Sequence, residues 1–139
     1  MIKRMIHALF RPLVRKWARA QVPPNLAAGD LCAIPGRGEG FAVLQVLAVD
    51  PGGVHIRLYK QRFRSVPGEL DPRSLSLGVF KAEGRSSDPF SIGHLPLTRE
   101  GLGLSRPVRI ASDPVLTTEL EGYEIWQQSH GGYFAGPIL

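Results

Sequence analysis

The stretch that decides the fold is Gly29-Asp30-Leu31-Cys32-Ala33-Ile34-Pro35, followed after a polar turn by Gly40-Phe41-Ala42-Val43-Leu44-Gln45-Val46-Leu47-Ala48-Val49. These two apolar runs flank Gly36-Arg37-Gly38-Glu39-Gly40, a connection that needs the freedom of glycine at positive φ. The pattern predicts a β-hairpin. We expect the domain proper to begin close to it, at about residue 27.

The basic charge of the chain is concentrated before this hairpin, in residues 1–20. Residues 1–20 hold six lysines and arginines and no acid, a balance of +6. The whole chain has 17 basic and 12 acidic residues, so the other 119 residues hold 11 basic groups against 12 acids, a balance of −1. A wholly basic domain would favour a phosphate-backbone partner, but the body of this chain is near neutral.

Composition favours one turn-rich domain in the 139 residues, with 16 glycines and 12 prolines. Cys32 is the only cysteine, which excludes an intramolecular disulfide and a thiolate metal cluster. We therefore expect a reducing, cytoplasmic setting. The basic residues 1–20 would also allow a peripheral position at the inner membrane.

Residues 1–26 are predicted to form a basic amphipathic N-terminal helix and a linker. Apolar residues recur there at steps of three and four, at Ile2, Ile6, Leu9, Leu13 and Trp17. Pro12 predicts a kink or a helix start. Such a helix could dock on the body, contact a membrane surface through residues 1–20, or serve nucleic-acid binding or targeting. A secretory signal is not expected, because Arg11, Pro12 and Arg15 interrupt the apolar core it needs.

Beyond the hairpin the sequence predicts short strands separated by turns, the first of which is the strong turn signal Asp50-Pro51-Gly52-Gly53. Residues 54–59 alternate strictly, which places Val54, Ile56 and Leu58 on one face and predicts a solvated face with His55, Arg57 and Tyr59. Further strands are predicted at 75–80, 90–97 and 108–111, a loop at 84–89, a bend at 101–103, and a tail with a possible helical turn and one or two closing strands. The fold class is α+β, mostly β: a small twisted or barrel-like antiparallel sheet with an N-terminal helix, in which residues 27–139 form a single domain.

Catalytic and cofactor motifs are missing from the sequence. It has no Gly-X-Ser-X-Gly elbow, and its glycine run lacks the Lys-Ser/Thr ending of a P-loop. The histidines His7, His55, His94 and His130 show no pair at metal-ligand spacing. Glu119 and Glu121 are expected to lie on a solvated edge. The sequence thus predicts a protein that is not an enzyme and has no cofactor and no metal.

A family resemblance rests on the order of several short motifs. These are Gly29-Asp30 with Ala33-Ile34-Pro35, Gly40-Phe41, Gly93-His94-Leu95-Pro96-Leu97, and Leu120-Glu121-Gly122-Tyr123 followed by Trp126 and Gly132. Together they resemble the bacterial immunity protein 26 family over about residues 27–134. The resemblance implies a protein of a polymorphic toxin system that binds and neutralises a cognate protein toxin.

Each of the matching residues also has a purely structural interpretation. Gly29 would supply an unusual backbone angle, Asp30 a side-chain hydrogen bond at the strand entry, and Pro35 a strand end. His94 is expected to be a satisfied, partly buried histidine, and Tyr123 and Trp126 core aromatics with bonded polar tips.

The candidate partner-binding residues are Arg57, Tyr59, Arg62 and Arg64. Arginine and tyrosine are enriched at protein interfaces, so this patch would suit occlusion of a toxin surface. The alternative is a small β-barrel that binds nucleic acid, because the same cations adjoin aromatic residues. The near-neutral body makes nucleic acid the less favoured partner.

Overall fold

The computed structural model describes residues 22–78 and 89–139. Within them, five strands form one open antiparallel sheet in the order β4-β3-β2-β1-β5, with few helices. The strands are β1 (Asp30–Pro35), β2 (Phe41–Asp50), β3 (Gly53–Phe63), β4 (Ile92–Leu97) and β5 (Val108–Ser112). The helices are α1 (Arg99–Leu104) and α2 (Glu121–Gln128), with 3-10 turns at Pro72–Ser74 and Thr117–Leu120. The mostly β fold is confirmed, as an open sheet rather than a closed barrel.

The central hairpin forms where the sequence predicts it. Cys32 pairs with Leu44 and Pro35 with Phe41, so β1 ends at the proline. Gly40 has φ +95°, and a Cβ there would lie 2.8 Å from the carbonyl oxygen of Phe63. Glycine is therefore needed at this turn both for its backbone angle and for the close approach of β3.

Both faces of the sheet are covered by apolar side chains. The larger buried cluster lies on one face and contains Cys32, Ile34, Ala42, Leu44, Val46, Val54, Ile56, Leu58, Leu97 and Leu102. The smaller lies on the other and contains Leu31, Val43, Tyr59 and Leu75. The expectation that β3 has a solvated face is wrong, because His55 is 0% and Tyr59 7% exposed. Segments distant in sequence cover that face.

Three local predictions also differ from the structure. Residues 75–78 form no strand, although the N–H of Lys60 donates to the carbonyl of Ser76 at 2.9 Å. The expected bend at 101–103 lies inside α1, because the hydroxyl of Thr98 accepts the N–H of Gly101 and caps that helix. The tail forms α2 and, in place of a closing strand, only an isolated parallel bridge between Leu97 and Phe134.

The predicted helix within residues 1–26 falls mostly on residues 1–21, and the predicted loop at 84–89 mostly on 79–88; both stretches lie outside the described residues. The domain boundary at residue 27 stays a prediction. Val22 and Leu26 pack against the larger core cluster. In the described ranges, no helix has the length and apolar character needed to cross a membrane.

Candidate functional site

The four predicted partner-binding residues do not form one exposed patch. Arg57 lies on the covered face of β3, where its Nη1 donates to Glu119 Oε2 at 2.7 Å. Its side chain is only 18% exposed. Tyr59 is buried, and its hydroxyl donates to Gln45 Oε1 at 3.2 Å. Burial, reinforced by the charge of Glu119, raises the pKa of Tyr59 to about 12. Arg57 thus joins the sheet to the 3-10 turn at Thr117–Leu120, whereas the hydrogen bond of Tyr59 lies within the sheet, between β3 and β2.

Arg62 and Arg64 lie together at the end of β3. With Glu39, Gly40 and Phe63 they line an open groove of about 400 Å³, here called the arginine groove. The Arg62 guanidinium donates to the carbonyls of Tyr59, Lys60, Gln61 and Phe90, at 2.7 to 3.2 Å. Arg64 is exposed. Arg62 therefore ties the strand end to the segment at Phe90, while Arg64 is open to a partner.

A second site, which the sequence analysis missed, lies at the opposite end of β3. We call Asp50, His55, His94 and Tyr133 the histidine cluster. Asp50 ends β2, and its Oδ1 accepts the backbone N–H groups of Gly52 and Gly53 at 3.0 and 2.9 Å. This is the turn that the Asp-Pro-Gly-Gly sequence predicts. The turn aims the other carboxylate oxygen, Oδ2, at His55.

Two imidazoles continue the chain of hydrogen bonds from Asp50. His55 Nε2 lies 2.8 Å from Asp50 Oδ2, and His55 Nδ1 lies 2.9 Å from His94 Nε2. Tyr133 closes the cluster, because its hydroxyl donates to Asp50 Oδ1 and lies 3.3 Å from His55 Nε2. His94 is confirmed as a partly buried, hydrogen-bonded histidine. Its partner, 39 residues earlier in the chain, was not foreseen.

The electrostatics of the cluster follow from burial and these bonds. Burial alone would raise the pKa of Asp50, but the hydrogen bonds from Tyr133, His55 and the Gly53 N–H outweigh it and lower that pKa below its ordinary value. Burial, and then the proximity of His55, lower the pKa of His94 to about 4. Asp50 is therefore ionised and His94 neutral at pH 7.

Aromatic rings from the tail cover His55. The centroids of Tyr123 and Trp126, both on α2, lie 4.5 Å from the His55 ring in edge-on arrangements. Trp126 Nε1 donates to the carbonyl of Gly132 at 2.9 Å. Gly122 allows α2 to approach closely, since a Cβ there would lie 2.7 Å from His94 Cβ. The bonded tips expected for Tyr123 and Trp126 are present, with Gln127 donating to the tyrosine hydroxyl.

The carboxylates of the tail differ from the solvated edge that was expected. Glu119 accepts from Arg57 through Oε2 and from the Leu116 N–H through Oε1 at 2.8 Å. Its side chain is 16% exposed. That expectation was wrong for Glu119, because the 3-10 turn folds it back over β3. Glu121 is exposed at the start of α2.

Chemically, the cluster is a hydrogen-bonded chain of a phenol, a carboxylate and two imidazoles, in which the His55 side chain is fully buried. Within residues 22–78 and 89–139, no group of three or more His, Cys, Asp or Glu side chains is placed to hold a metal ion. Comparison of the chain with the known protein families, with curated proteins and with solved structures found no match.

Proposed function

We propose that the domain is an immunity-type binding protein that neutralises a cognate bacterial toxin in the cytoplasm by steric occlusion. The family resemblance supplies the class of partner. The arginine groove is the observation that supports a binding surface on this chain. An interface of ordinary size, about 1,200 to 2,000 Å² in total, would extend well beyond the groove.

The groove combines residue types that are common in protein interfaces. Arg64 is exposed, and the partly buried Phe63 lines the same groove while its side chain packs against the smaller core cluster. Phe90 is 54% exposed, and its carbonyl lies 2.7 Å from Arg62 Nη2. Aromatic and arginine side chains are the ones that most often dominate binding energy. We propose Arg62, Phe63 and Arg64 as the centre of the interface, with Arg62 acting mainly to position its neighbours.

Binding to the toxin encoded beside the gene tests the proposal directly. Isothermal titration should give a 1:1 complex, and co-expression should restore growth of cells that make the toxin. Arg64→Glu should weaken binding at least tenfold, because it reverses a charge at the proposed centre. Arg73→Glu is the matched control, since Arg73 is 91% exposed and lies outside the groove. No complex and no protection, or equal effects of the two substitutions, would contradict the proposal.

Nucleic acid is the alternative partner. Single-strand binders stack bases on exposed aromatic rings, but His55 and Tyr59 are buried. That alternative would have to rely on Phe63, Arg62 and Arg64. Filter binding of single-stranded oligonucleotides over a salt series distinguishes nucleic-acid binding from toxin neutralisation. Phosphate contacts give an affinity that falls steeply with salt. Tight, salt-dependent binding would favour this function over toxin neutralisation.

Contact with an anionic membrane through residues 1–20 is a separate part of the proposal, based on their +6 charge and apolar stripe. The full chain should sediment with vesicles containing anionic lipid and remain in solution with neutral vesicles. The chain without residues 1–20 should bind neither. Equal sedimentation of the two chains would remove the membrane from the list of partners.

A further inference from the structure

The histidine cluster joins three parts of the chain that are far apart in sequence: the β2–β3 turn region, β4 and the tail. Asp50 ends β2, His55 lies on β3, His94 on β4, and Tyr133 in the tail. The tail is also bonded to the end of β4, where the N–H of Phe134 donates to the carbonyl of Pro96 at 2.8 Å. We call residues 117–134 the C-terminal cover. The cover is held to the sheet by rings and hydrogen bonds around His55, by the bond between Arg57 and Glu119, and by the backbone bonds of Phe134.

The bond between the two imidazoles has room for one proton. The carboxylate of Asp50 accepts hydrogen bonds only, so the facing nitrogen, His55 Nε2, carries a hydrogen. His55 Nδ1 then faces His94 Nε2 at 2.9 Å, and one hydrogen between these nitrogens makes a good bond. If both imidazoles were fully protonated, two N–H groups would point at each other. The bond would then become a repulsive contact between two cations.

The other charged and titratable groups around His94 do not supply a negative charge for a second imidazolium. Tyr123 of α2 faces it with a neutral ring, and Tyr133 donates its proton to Asp50. Asp50 supplies one negative charge, which one imidazolium balances. Arg99 of α1 donates to the backbone carbonyl of Asp50 at 3.0 Å and adds positive charge nearby. A second imidazolium would therefore have no anion of its own in the cluster.

We propose that the C-terminal cover is a proton-sensitive latch, closed while His55 and His94 share one hydrogen and released when both imidazoles are protonated. Release separates α2 from the His55 ring and Tyr133 from Asp50. It also frees Glu119 from Arg57, because Glu119 lies at the start of the cover. The open form presents Arg57 and the two imidazoles to solvent while the β1–β2–β3 sheet stays folded. The pKa of His94 is about 4 in the closed form and 6.5 for a free imidazole, so a fall in pH between these values favours the open form.

Trp126 reports the latch, since its ring contacts His55 and Tyr133. The chain has two tryptophans, so the experiment uses a Trp17→Phe background in which Trp126 is the only emitter. We expect a reversible change in Trp126 fluorescence as the pH falls from 6.5 to 4, while far-UV circular dichroism of the sheet is retained. For release coupled to one proton, the open population rises by up to about tenfold per pH unit.

His94→Gln provides the decisive comparison. Its amide can still donate to His55 Nδ1 but cannot take up a proton, so the fluorescence transition should be lost. His130→Asn is the control, because it removes an exposed histidine that lies outside the cluster. Asparagine tolerates the positive φ of 52° at this position. Tyr133→Phe keeps both histidines but removes the hydroxyl that donates to Asp50, so the closed form is less stable. The transition should therefore occur at higher pH.

Three results would overturn the latch. One is a Trp126 signal that changes only together with the sheet signal. The second is a transition that His94→Gln leaves in place. The third is a transition that His130→Asn removes as completely as His94→Gln does. If His94→Gln fails to fold, amide exchange of the Trp17→Phe protein at pH 7 and 4.5, corrected for intrinsic rates, gives the answer: protection must fall in residues 121–131 and persist in β2.

Discussion

Cys32 is the chain's single thiol, and it lies on β1 with no exposed surface. Burial raises its pKa from 9.0 to about 12, and the nearby charge of Asp30 adds to this effect. The thiolate is the form that attacks thiol reagents, and its fraction at pH 8 is lower by about a thousandfold than in an unfolded chain. Ellman's reagent should therefore release no thionitrobenzoate within minutes from the folded protein.

In concentrated guanidinium the same protein should react with one full equivalent. A buried thiol gives this result, whereas a Cys32 that is already oxidised reacts in neither condition. Rapid reaction of one equivalent in the folded protein would contradict the burial of β1.

Gly122 is a position where the fold leaves no room for a side chain unless its neighbours shift. It lies on α2 directly over His94, and a Cβ there would lie 2.7 Å from His94 Cβ. Alanine ordinarily favours a helix over glycine by about 1 kcal/mol. Here we expect Gly122→Ala to destabilise the protein by about 1 to 3 kcal/mol, because α2 or β4 must shift. Urea denaturation of the variant measures the loss.

Gly132→Ala is the matched control for this steric argument. It lies in the same tail, and a Cβ there would meet no atom within 4 Å. Its midpoint should stay within error of the parent protein. A Gly122→Ala protein as stable as the Gly132→Ala protein would place α2 further from His94 than the structure does.

At the scale of elements, the tail is held by specific polar contacts as well as by ring packing. Tyr133 donates its hydroxyl hydrogen to the ionised Asp50, whereas the Tyr123 hydroxyl accepts from Gln127 at an exposed position. Tyr133→Phe leaves Asp50 with one donor fewer and should lower the free energy of unfolding by about 1 to 3 kcal/mol. Tyr123→Phe should change it by less than about 0.5 kcal/mol. Thermal denaturation of both variants tests this, and equal effects would contradict the asymmetry.

The elements that the sequence predicts well are those with local signals. The β1–β2 hairpin combines two apolar runs with glycines at positive φ, and Gly38 and Gly40 adopt φ of 75° and 95°. The covered face of β3 was predicted wrongly, because alternation in a strand shows only which residues share a face. Whether that face meets water depends on segments 15 to 78 residues away, such as Ser76 and Tyr133.

The histidine cluster was not predicted for the same reason. His55 and His94 are 39 residues apart, and neither lies at a spacing typical of a site. Only the pairing of β3 with β4, which places Pro96 opposite His55, brings them together. The Gly-His motif and the Asp-Pro-Gly-Gly turn were each visible in the sequence, but no local pattern joins them.

For the whole molecule, His94 couples folding to pH. Its pKa is about 4 in the folded protein and 6.5 in an unfolded chain. Between these values the unfolded state holds more protons, so stability falls as the pH is lowered from 6.5 to 4. Asp50 acts in the same direction below about pH 3.8, since its folded pKa is also lowered. The equilibrium constant for unfolding should therefore rise by up to about tenfold for each unit by which the pH falls between 6.5 and 4.

Urea denaturation at half-unit steps from pH 7.5 to 4.5 measures this dependence, and at each pH the midpoint and slope give the free energy of unfolding. His94→Gln should flatten the curve below pH 6.5, because glutamine takes up no proton in either state. His130→Asn should leave most of the slope in place, since His130 is exposed in the folded protein. A slope that both variants retain would assign the proton uptake to other groups. Stability that rises toward pH 4.5 would contradict a neutral His94 in the folded protein.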